Sequence, residues 1–269
     1  MESNVARNRA ELSGNATNVL NSRTLSSSHK RLAELLREGM TVLDVGCGTG
    51  AITRGIAEIV GPTGRVVGID SNPALIETAK QTYCDISGLE FEIGDIFNLP
   101  YKEEFDIVTS ARVLQWLSNP LEALNVFKSS TKSGGMVLIL DYNHEKISWE
   151  PEPPSSMKSF YSAFLKWRSD AGMDNTIADH LPDLFKKVGI NDIIITPQHE
   201  TVKRTDNDFN SRISIWADVA ASRGIQMVKD GFITESERAA AEKEYREWIN
   251  EAVVSQTMYL LAVEGLKNN

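Results

Sequence analysis

The chain has 269 residues, of which 41% are hydrophobic and 24% are charged, as in an ordinary globular protein that buries a sizeable core. Its formal net charge of −9 argues against nucleic acid as a partner, because attraction to a phosphate backbone requires a basic face that releases counterions. No apolar run reaches the roughly 20 residues that span a bilayer, and the first residues lack the pattern of a signal peptide. We therefore expect a cytoplasmic protein without a membrane partner.

The cysteines and histidines predict neither a disulfide framework nor a metal site. Cys47 lies between two glycines and Cys84 near the end of a predicted helix, so we expect both to be reduced thiols. The four histidines are scattered, without an i, i+4 pair or an adjacent cysteine, which argues against a metal site built by the protein.

The first predicted structures are an N-terminal helical segment and a strand that runs into a glycine-rich turn. Apolar residues recur at helical spacing shortly before Gly39, so we assign residues 1–39 to a helical segment. A predicted strand over 42–45 is followed by Gly46, Gly48 and Gly50, and a helix then begins. Glycine lets a ligand approach the backbone closely, and the free N–H groups of the helix face the same point. The pattern predicts a site for a nucleotide-like ligand.

Two further predicted strands lead into acidic residues. The strand over 65–70 ends in Asp70, where a neighbouring parallel strand places a carboxylate against the two hydroxyls of a ribose. The strand over 89–93 leads into Gly94 and Asp95. A nicotinamide dinucleotide would suit the turn and Asp70 equally well. The glycine spacing, however, is G-x-G-x-G, whereas the dinucleotide fingerprint is G-x-G-x-x-G.

The remaining pattern alternates strands with helices and predicts a parallel α/β sheet. Right-handed crossovers then place a ligand at the carboxyl ends of the strands. Residues 149–154 include three prolines and predict irregular chain, after which a helix over 156–170 reads as an inserted cap whose aromatic stripe packs on the body. The other predicted strands and helices, in chain order, cover 73–82, 105–110, 120–129, 136–140, 181–188, 192–196, 209–221, 235–252 and 258–263.

Five ordered motifs resemble the class I S-adenosylmethionine-dependent methyltransferases: VLDVGCGTG, VVGID, EIGDIFNLP, FDIVTSARVLQWL and KSGGMVLILDY. The resemblance implies a doubly wound, mostly parallel seven-stranded α/β sheet of the Rossmann-like methyltransferase fold, with S-adenosylmethionine as cofactor. The cofactor-binding core then spans residues 40–142, a cap insertion 143–178, and the remainder of the core 179–269 with a helical insertion at about 198–253. In the family the last two strands form a hairpin at the sheet edge, whereas here this insertion separates them.

At the methionine end of the cofactor, the resemblance assigns residues of the first and fourth strand ends. Gly46, Gly48 and Gly50 would line the methionine and ribose part, Asp44 would lie near the ammonium group, and Ala111 would face the methionine end.

At the adenosine end, the resemblance assigns residues of the second and third strand ends. Asp70, with the adjacent Ser71, would hold the ribose diol. Asp95 would accept a hydrogen bond from the adenine amino group, and Ile96 would lie against the ring.

Residues that face the methyl acceptor are expected at the carboxyl ends of the fourth and fifth strands. The candidates for a catalytic role are Arg112, Asp141, Tyr142 and His144, and Trp149 is a further candidate for this region. Three of them have a structural alternative: Arg112 pairs equally well with a surface carboxylate, Asp141 caps the loop after the strand, and His144 is an exposed loop residue. A general base is needed only for an acceptor that arrives protonated, because the sulfonium carries a good leaving group.

The resemblance implies methyl transfer to a small-molecule acceptor by in-line displacement. Family members that methylate bases or glutamine amides carry N-P-P-Y or D-P-P-Y after the fourth strand, where this chain has T-S-A-R. Two alternatives stay open: a non-catalytic cofactor-binding or regulatory module on the same fold, and a NAD-dependent oxidoreductase, which the glycine spacing and Asp95 disfavour. We expect a small-molecule substrate, no nucleic acid, no metal, and a monomer or homodimer.

Overall fold

The fold is organised around one β-sheet, and the computed structural model describes residues 4–10 and 23–268. The strands are β1 (Thr41–Val45), β2 (Arg65–Asp70), β3 (Leu89–Ile93), β4 (Phe105–Ala111), β5 (Thr131–Glu150), β6 (Asn191–Pro197), β7 (Glu200–Lys203) and β8 (Ser255–Leu266). Seven of them follow the order β3-β2-β1-β4-β5-β8-β6, and β7 pairs with β8 beside this path.

The first five strands run parallel, since β1 pairs with β2 and β4, β2 with β3, and β4 with β5. Their carboxyl ends therefore lie along one edge of the sheet. β8 runs antiparallel to β5, β6 and β7. The predicted doubly wound, mostly parallel α/β fold is confirmed, and β7 adds an eighth strand that the sequence pattern did not indicate. The helical insertion leaves the pairing of the last two predicted strands intact.

Helices cover both faces of the sheet. The described α-helices are α1 (Asn4–Ala10), α2 (Leu25–Ser28), α3 (Lys30–Leu35), α4 (Ala51–Val60), α5 (Pro73–Thr82), α6 (Pro120–Ser130), α7 (Ser155–Asp170), α8 (Ile177–Lys187), α9 (Phe209–Ile213), α10 (Ile215–Ala221), α11 (Arg223–Lys229) and α12 (Glu235–Glu251), and a 3-10 turn spans Leu114–Trp116. Within the described parts of the chain, no helix is both long enough and apolar enough to span a bilayer.

The core lies in two layers, one on each face of the sheet. Because successive side chains of a strand point to opposite faces, Val42 packs with Ile56 in one layer and Leu43 packs with Phe127 in the other. This is why the central strands read as continuous apolar runs rather than as alternating ones.

Two helix starts follow from local sequence as predicted. The Asn72 side chain accepts hydrogen bonds from the Ala74 and Leu75 N–H groups, and Pro73 occupies the first helical position of α5. At the start of α12, Thr234 and Glu237 form the predicted capping box.

Strand β5 is longer than the sequence predicts, because it continues well past residue 140. After a register shift beyond Asn143, Trp149 pairs with Gln256 and Glu150 with Ser255 at the start of β8. The prediction of irregular chain from residue 149 is therefore wrong for Trp149 and Glu150. Asp141, Tyr142 and His144 also lie inside the strand, not in a loop after it.

The predicted N-terminal helical segment over 1–39 consists, where it is described, of α1, α2 and α3; residues 1–3 and 11–22 lie outside the described residues. Helix α1 packs on the cap, since the Arg9 guanidinium donates to the Trp167 carbonyl, to Asp170 at 3.0 Å and to Asp230 at 3.3 Å. α1 thereby connects α7 with the chain that follows α11.

Candidate active site

The glycine-rich turn at the end of β1 is closely packed. Gly46, Gly48 and Gly50 all have positive φ, of 80°, 57° and 79°. A Cβ atom on Gly50 would lie 2.5 Å from Cζ of Phe91, so neither the backbone conformation nor the space admits a side chain there. The turn therefore brings bare backbone to the carboxyl edge of the sheet.

Asp70 connects the ends of β1 and β2. Its Oδ2 accepts a hydrogen bond from the Gly48 N–H at 2.9 Å, and its Oδ1 accepts one from the Asn72 N–H at 2.9 Å. A carboxylate oxygen has two lone pairs, so each oxygen retains acceptor capacity for a further donor. Two neighbouring hydroxyls, as on a ribose, would supply one donor to each of these oxygens.

Two buried polar groups lie in the same turn region. The Asp44 carboxylate accepts a hydrogen bond from Thr53 Oγ1 at 2.7 Å, and burial raises its pKa to about 6. The buried Thr49 hydroxyl has no hydrogen-bond partner among the described residues. A ligand with a cationic group and a polar group suits this arrangement, because a nearby cation restores the charged form of a buried carboxylate.

Asp95 lies at the neighbouring strand end, two residues beyond Ile93, which pairs with Asp70. Its Oδ1 accepts from the Phe97 N–H at 3.0 Å, and its Oδ2 pairs with Arg7 of α1 at 2.9 Å. The Asp95 side chain remains 47% exposed. The structure thus brings Asp70 and Asp95 to one edge beside the glycine turn.

The other residues predicted to contact the cofactor lie along the same edge. Ser71 is exposed directly after β2, Ile96 is half-buried beside Asp95, and Ala111 is the half-buried last residue of β4.

Arg112, the first residue after β4, is buried and has the positive φ of 63°. Its Nε donates to the Tyr142 hydroxyl at 3.0 Å, and its Nη2 donates to the Ser28 carbonyl at 2.9 Å and to Glu200 of β7. Of the two alternatives for Arg112, pairing with a carboxylate is found here, but the partner is the half-buried Glu200 and not a surface carboxylate. Backbone strain of this kind persists only where the surroundings fix the residue.

Asp141 is fully buried and holds the 3-10 turn in place. Its Oδ2 accepts from the Gln115 N–H at 3.0 Å and its Oδ1 from the Tyr142 N–H at 2.9 Å. Burial raises its pKa to about 7, since desolvation penalises the charged carboxylate. The geometry agrees with the alternative that Asp141 caps neighbouring backbone.

His144 is also buried, so the expectation of an exposed loop residue is wrong. Its Nε2 lies 2.5 Å from Gln115 Oε1, and its backbone carbonyl accepts from the Tyr161 hydroxyl at 2.5 Å. Burial, followed by the nearby charge of Arg168, holds its pKa well below the ordinary value. The imidazole is neutral at neutral pH.

Sequence reasoning missed two residues that connect these candidates. Gln115 donates through Nε2 to the Arg112 carbonyl at 3.1 Å, and the Arg168 Nη2 donates to the Gln115 carbonyl at 2.7 Å. Arg168 comes from α7 in the cap and Gln115 from the 3-10 turn, so only the folded chain brings them together.

The aromatic stripe of α7 packs outside the cap, on α10 of the helical insertion, as the interpretation of cap-to-body packing predicts. Tyr161 contacts Trp216 edge-on with ring centroids 4.6 Å apart, and Phe164 contacts the same indole at 5.6 Å. Phe164 and Trp216 are 2% exposed, so these rings form core.

Comparison with known proteins decides the family. A family model described as a methyltransferase domain matches residues 36–189, which is more than half of the chain. The chain belongs to the class I S-adenosylmethionine-dependent methyltransferases. S-adenosylmethionine is the cofactor of this methyltransferase family.

Individual relatives share only about a third or less of their aligned residues with this methyltransferase. A demethylmenaquinone methyltransferase of Staphylococcus aureus is 33% identical over 133 residues, which cover 49% of this chain and 52% of that protein. The chain thus spans about half the length of this curated relative.

Among solved structures, the YcgJ protein of Bacillus subtilis has a TM-score of 0.59 at 17% identity, covering 88% of this chain and 96% of that one. Phosphoethanolamine N-methyltransferase 2 of Haemonchus contortus, crystallised with phosphomonomethylethanolamine and S-adenosylhomocysteine, has a TM-score of 0.55 at 17% identity, covering 89% and 52%. At such identities these structures show the shared fold.

Proposed function

We propose that the chain transfers a methyl group from S-adenosylmethionine to a small-molecule acceptor by in-line displacement. The observation that carries this proposal is the Asp70 carboxylate, fixed by the Gly48 and Asn72 N–H groups beside a glycine turn of positive φ. Its free acceptor capacity suits the two hydroxyl donors of an adenosine ribose.

The proposal places the cofactor along the ends of β1 to β4. Asp70 and Ser71 hold the ribose, and Asp95 accepts from the adenine amino group while Ile96 lies against the ring. In the structure Arg7 pairs with Asp95 Oδ2. The adenine amino group would share this oxygen with Arg7 or displace the Arg7 guanidinium from it, at little cost because exposed ion pairs are weak.

At the methionine end, Gly46, Gly48 and Gly50 provide the backbone surface and Ala111 faces the sulfonium. Asp44 meets the ammonium group, whose charge offsets the burial that raises the pKa of this carboxyl.

When bound, S-adenosylmethionine supplies an electrophilic methyl group and a neutral thioether as leaving group. The residues that follow β4 and those at 141–144 within β5 orient the acceptor and exclude water, an effect that reaches up to roughly 7–11 kcal/mol in well-aligned reactions. Asp141 and His144 already form hydrogen bonds within the protein, Asp141 with two backbone N–H groups and His144 with the Gln115 side chain. They therefore act in the proposal as positioning residues, and Arg112 and Tyr142, which hydrogen-bond to each other, are the candidates for contact with the acceptor.

A small-molecule acceptor is favoured by the net charge of −9 and by T-S-A-R, at the end of β4, in place of N-P-P-Y or D-P-P-Y. The curated relative from Staphylococcus aureus is named for demethylmenaquinone, which is a small molecule. We propose the same organisation as expected from the sequence: a cofactor core over 40–142, a cap over 143–178, and the remainder over 179–269 with its inserted helices.

Isothermal titration with S-adenosylhomocysteine tests cofactor binding, and transfer of a labelled methyl group to a metabolite extract tests catalysis. The proposal expects a heat of binding and a labelled low-molecular-weight product. Binding without any labelled product would instead favour a non-catalytic cofactor-binding module. Quenching of tryptophan emission by NADH, with no response to S-adenosylhomocysteine, would favour an oxidoreductase.

A further inference from the structure

The Arg112 guanidinium has donor capacity that the protein does not use. Its Nε and Nη2 are hydrogen-bonded, whereas the buried Nη1 has no hydrogen-bond partner among the described residues. Buried polar groups are almost always paired. An unpartnered N–H group on an arginine at the end of β4 therefore indicates a missing acceptor at this position.

The charges around Arg112 also favour an anion. Arg23 is half-buried, and its charge acts on both Arg112 and Glu200. His29 is neutral, because burial and then Arg112 lower its pKa to about 3. Glu200 is the carboxylate that contacts Arg112. The Asp141 carboxyl also acts on both guanidiniums, but its pKa of about 7 leaves it only partly ionised at neutral pH. The two guanidiniums therefore exceed the ionised carboxylates here.

Arg112 and Glu200 differ in their freedom to move. The Arg112 side chain is 3% exposed, whereas that of Glu200 is 26% exposed and extends from the short strand β7. Glu200 can turn towards solvent and leave Arg112 in place. An external carboxylate can then take its position without changing the net charge of the buried cluster.

We propose that Arg112 binds a carboxylate of the methyl acceptor, and that Glu200 occupies this position when the acceptor is absent. The inference rests on the proposed function, since Arg112 follows Ala111 at the methionine end. A carboxylate is favoured over other anions because the group seated there is itself a carboxylate, and because two coplanar oxygens match the guanidinium fork. The acceptor class is thus a small molecule that carries a carboxylate.

Replacement of the missing side chain by a free acid tests this subsite directly. In Glu200→Ala, propionate should restore the lost carboxylate and raise the melting temperature, whereas propionamide at equal ionic strength should not. The matched control is Glu242→Ala, since Glu242 also pairs with an arginine and is also 26% exposed. Equal responses of the two variants to propionate would overturn the proposal. Stabilisation of Glu200→Ala by inorganic phosphate but not propionate would overturn the carboxylate assignment.

The carboxylate of the methylated product provides a second test that does not depend on the stability of Glu200→Ala. Labelled product formed by the wild-type chain from a metabolite extract should carry a carboxylate, detected by its coupling to an amine with a carbodiimide. Arg112→Lys should lower its formation at least about tenfold, the loss expected from about 1.4 kcal/mol. S-adenosylhomocysteine should bind Arg112→Lys as it binds wild type. A product without a carboxylate overturns the carboxylate proposal alone, whereas absence of S-adenosylhomocysteine binding by wild type overturns the proposed function.

Discussion

Replacement of Asp70 by asparagine changes the charge of the site with almost no change in volume. In the folded chain the two carboxylate oxygens accept separate backbone hydrogen bonds, from Gly48 and from Asn72, both at 2.9 Å. An amide has one acceptor oxygen, so in Asp70→Asn one of these two backbone N–H groups faces the NH₂ group of the new side chain and loses its hydrogen bond. The ribose also loses its charged acceptor.

The expected loss of affinity follows from the hydrogen bonds to the ribose. A hydrogen bond to a charged group contributes about 1.5–3 kcal/mol, and asparagine keeps one weaker acceptor in place of two charged ones. We therefore expect binding of S-adenosylhomocysteine to weaken by about 2–4 kcal/mol, or roughly 30- to 700-fold in Kd, as measured by isothermal titration.

Asp106→Asn is the matched control. Asp106 also accepts from a backbone N–H, that of Thr41 at 2.8 Å, and pairs with Lys132, but it lies near the start of β4 at the opposite edge of the sheet. Its replacement should lower thermal stability without changing Kd. If Asp70→Asn stays folded and its Kd remains within about threefold of wild type, the assignment of Asp70 to the ribose is refuted.

Three further predictions concern stability in urea. Burial raises the pKa of Asp141 to about 7, so the protonated side chain stabilises the folded chain fully below the unfolded pKa near 4, and this contribution is lost as pH rises through 7. The free energy of unfolding of wild type relative to that of Asp141→Asn should therefore fall by about 2–3 kcal/mol from pH 5 to pH 8. A difference that stays constant with pH contradicts this prediction. Gly50→Ala should lower the free energy of unfolding by about 1–3 kcal/mol more than Gly134→Ala. Gly134 has a similar φ of 73°, but a Cβ atom there would have nothing within 4 Å. Equal losses in the two variants would mean that the Phe91 side chain moves to make room. Arg9→Ala should lower the free energy of unfolding by about 2–3 kcal/mol, because it removes a buried guanidinium and leaves the buried Trp167 carbonyl unpaired. Arg7→Ala, whose side chain is 59% exposed, should change it by less than about 1 kcal/mol. Equal effects of the two variants would contradict the packing of α1 on the cap.

The cofactor side of the site could be predicted because each of its residues lies at the end of its own strand. Gly48, Asp70 and Asp95 follow three consecutive strands, and parallel pairing alone brings these ends to one edge. Local sequence order therefore specifies their relative positions. Isothermal titration of variants at these positions tests their roles in cofactor binding.

The acceptor side could not be predicted in the same way, because its contacts join distant segments. Gln115, Arg168 and Glu200 come from a 3-10 turn, a cap helix and a short strand, and they share no spacing. The length of β5 was missed for a related reason. Trp149 and Glu150 precede a proline and look irregular locally, but the start of β8 supplies their hydrogen-bond partners.

The extension of β5 and β8 past the parallel strands bears on how this fold can be modified. The two strands pair from Met136 with Leu266 to Asn143 with Tyr259 and again, after a register shift, from Ser148 with Thr257 to Glu150 with Ser255, so the cap begins on the same pair of strands as the core. A graft that exchanged the cap of a relative would have to cut both strands and restore their register, because a shift by one residue turns every side chain to the opposite face. Exchange of α7 alone, between Glu150 and Ile177, leaves both strands uncut and needs only a matching aromatic face for Trp216.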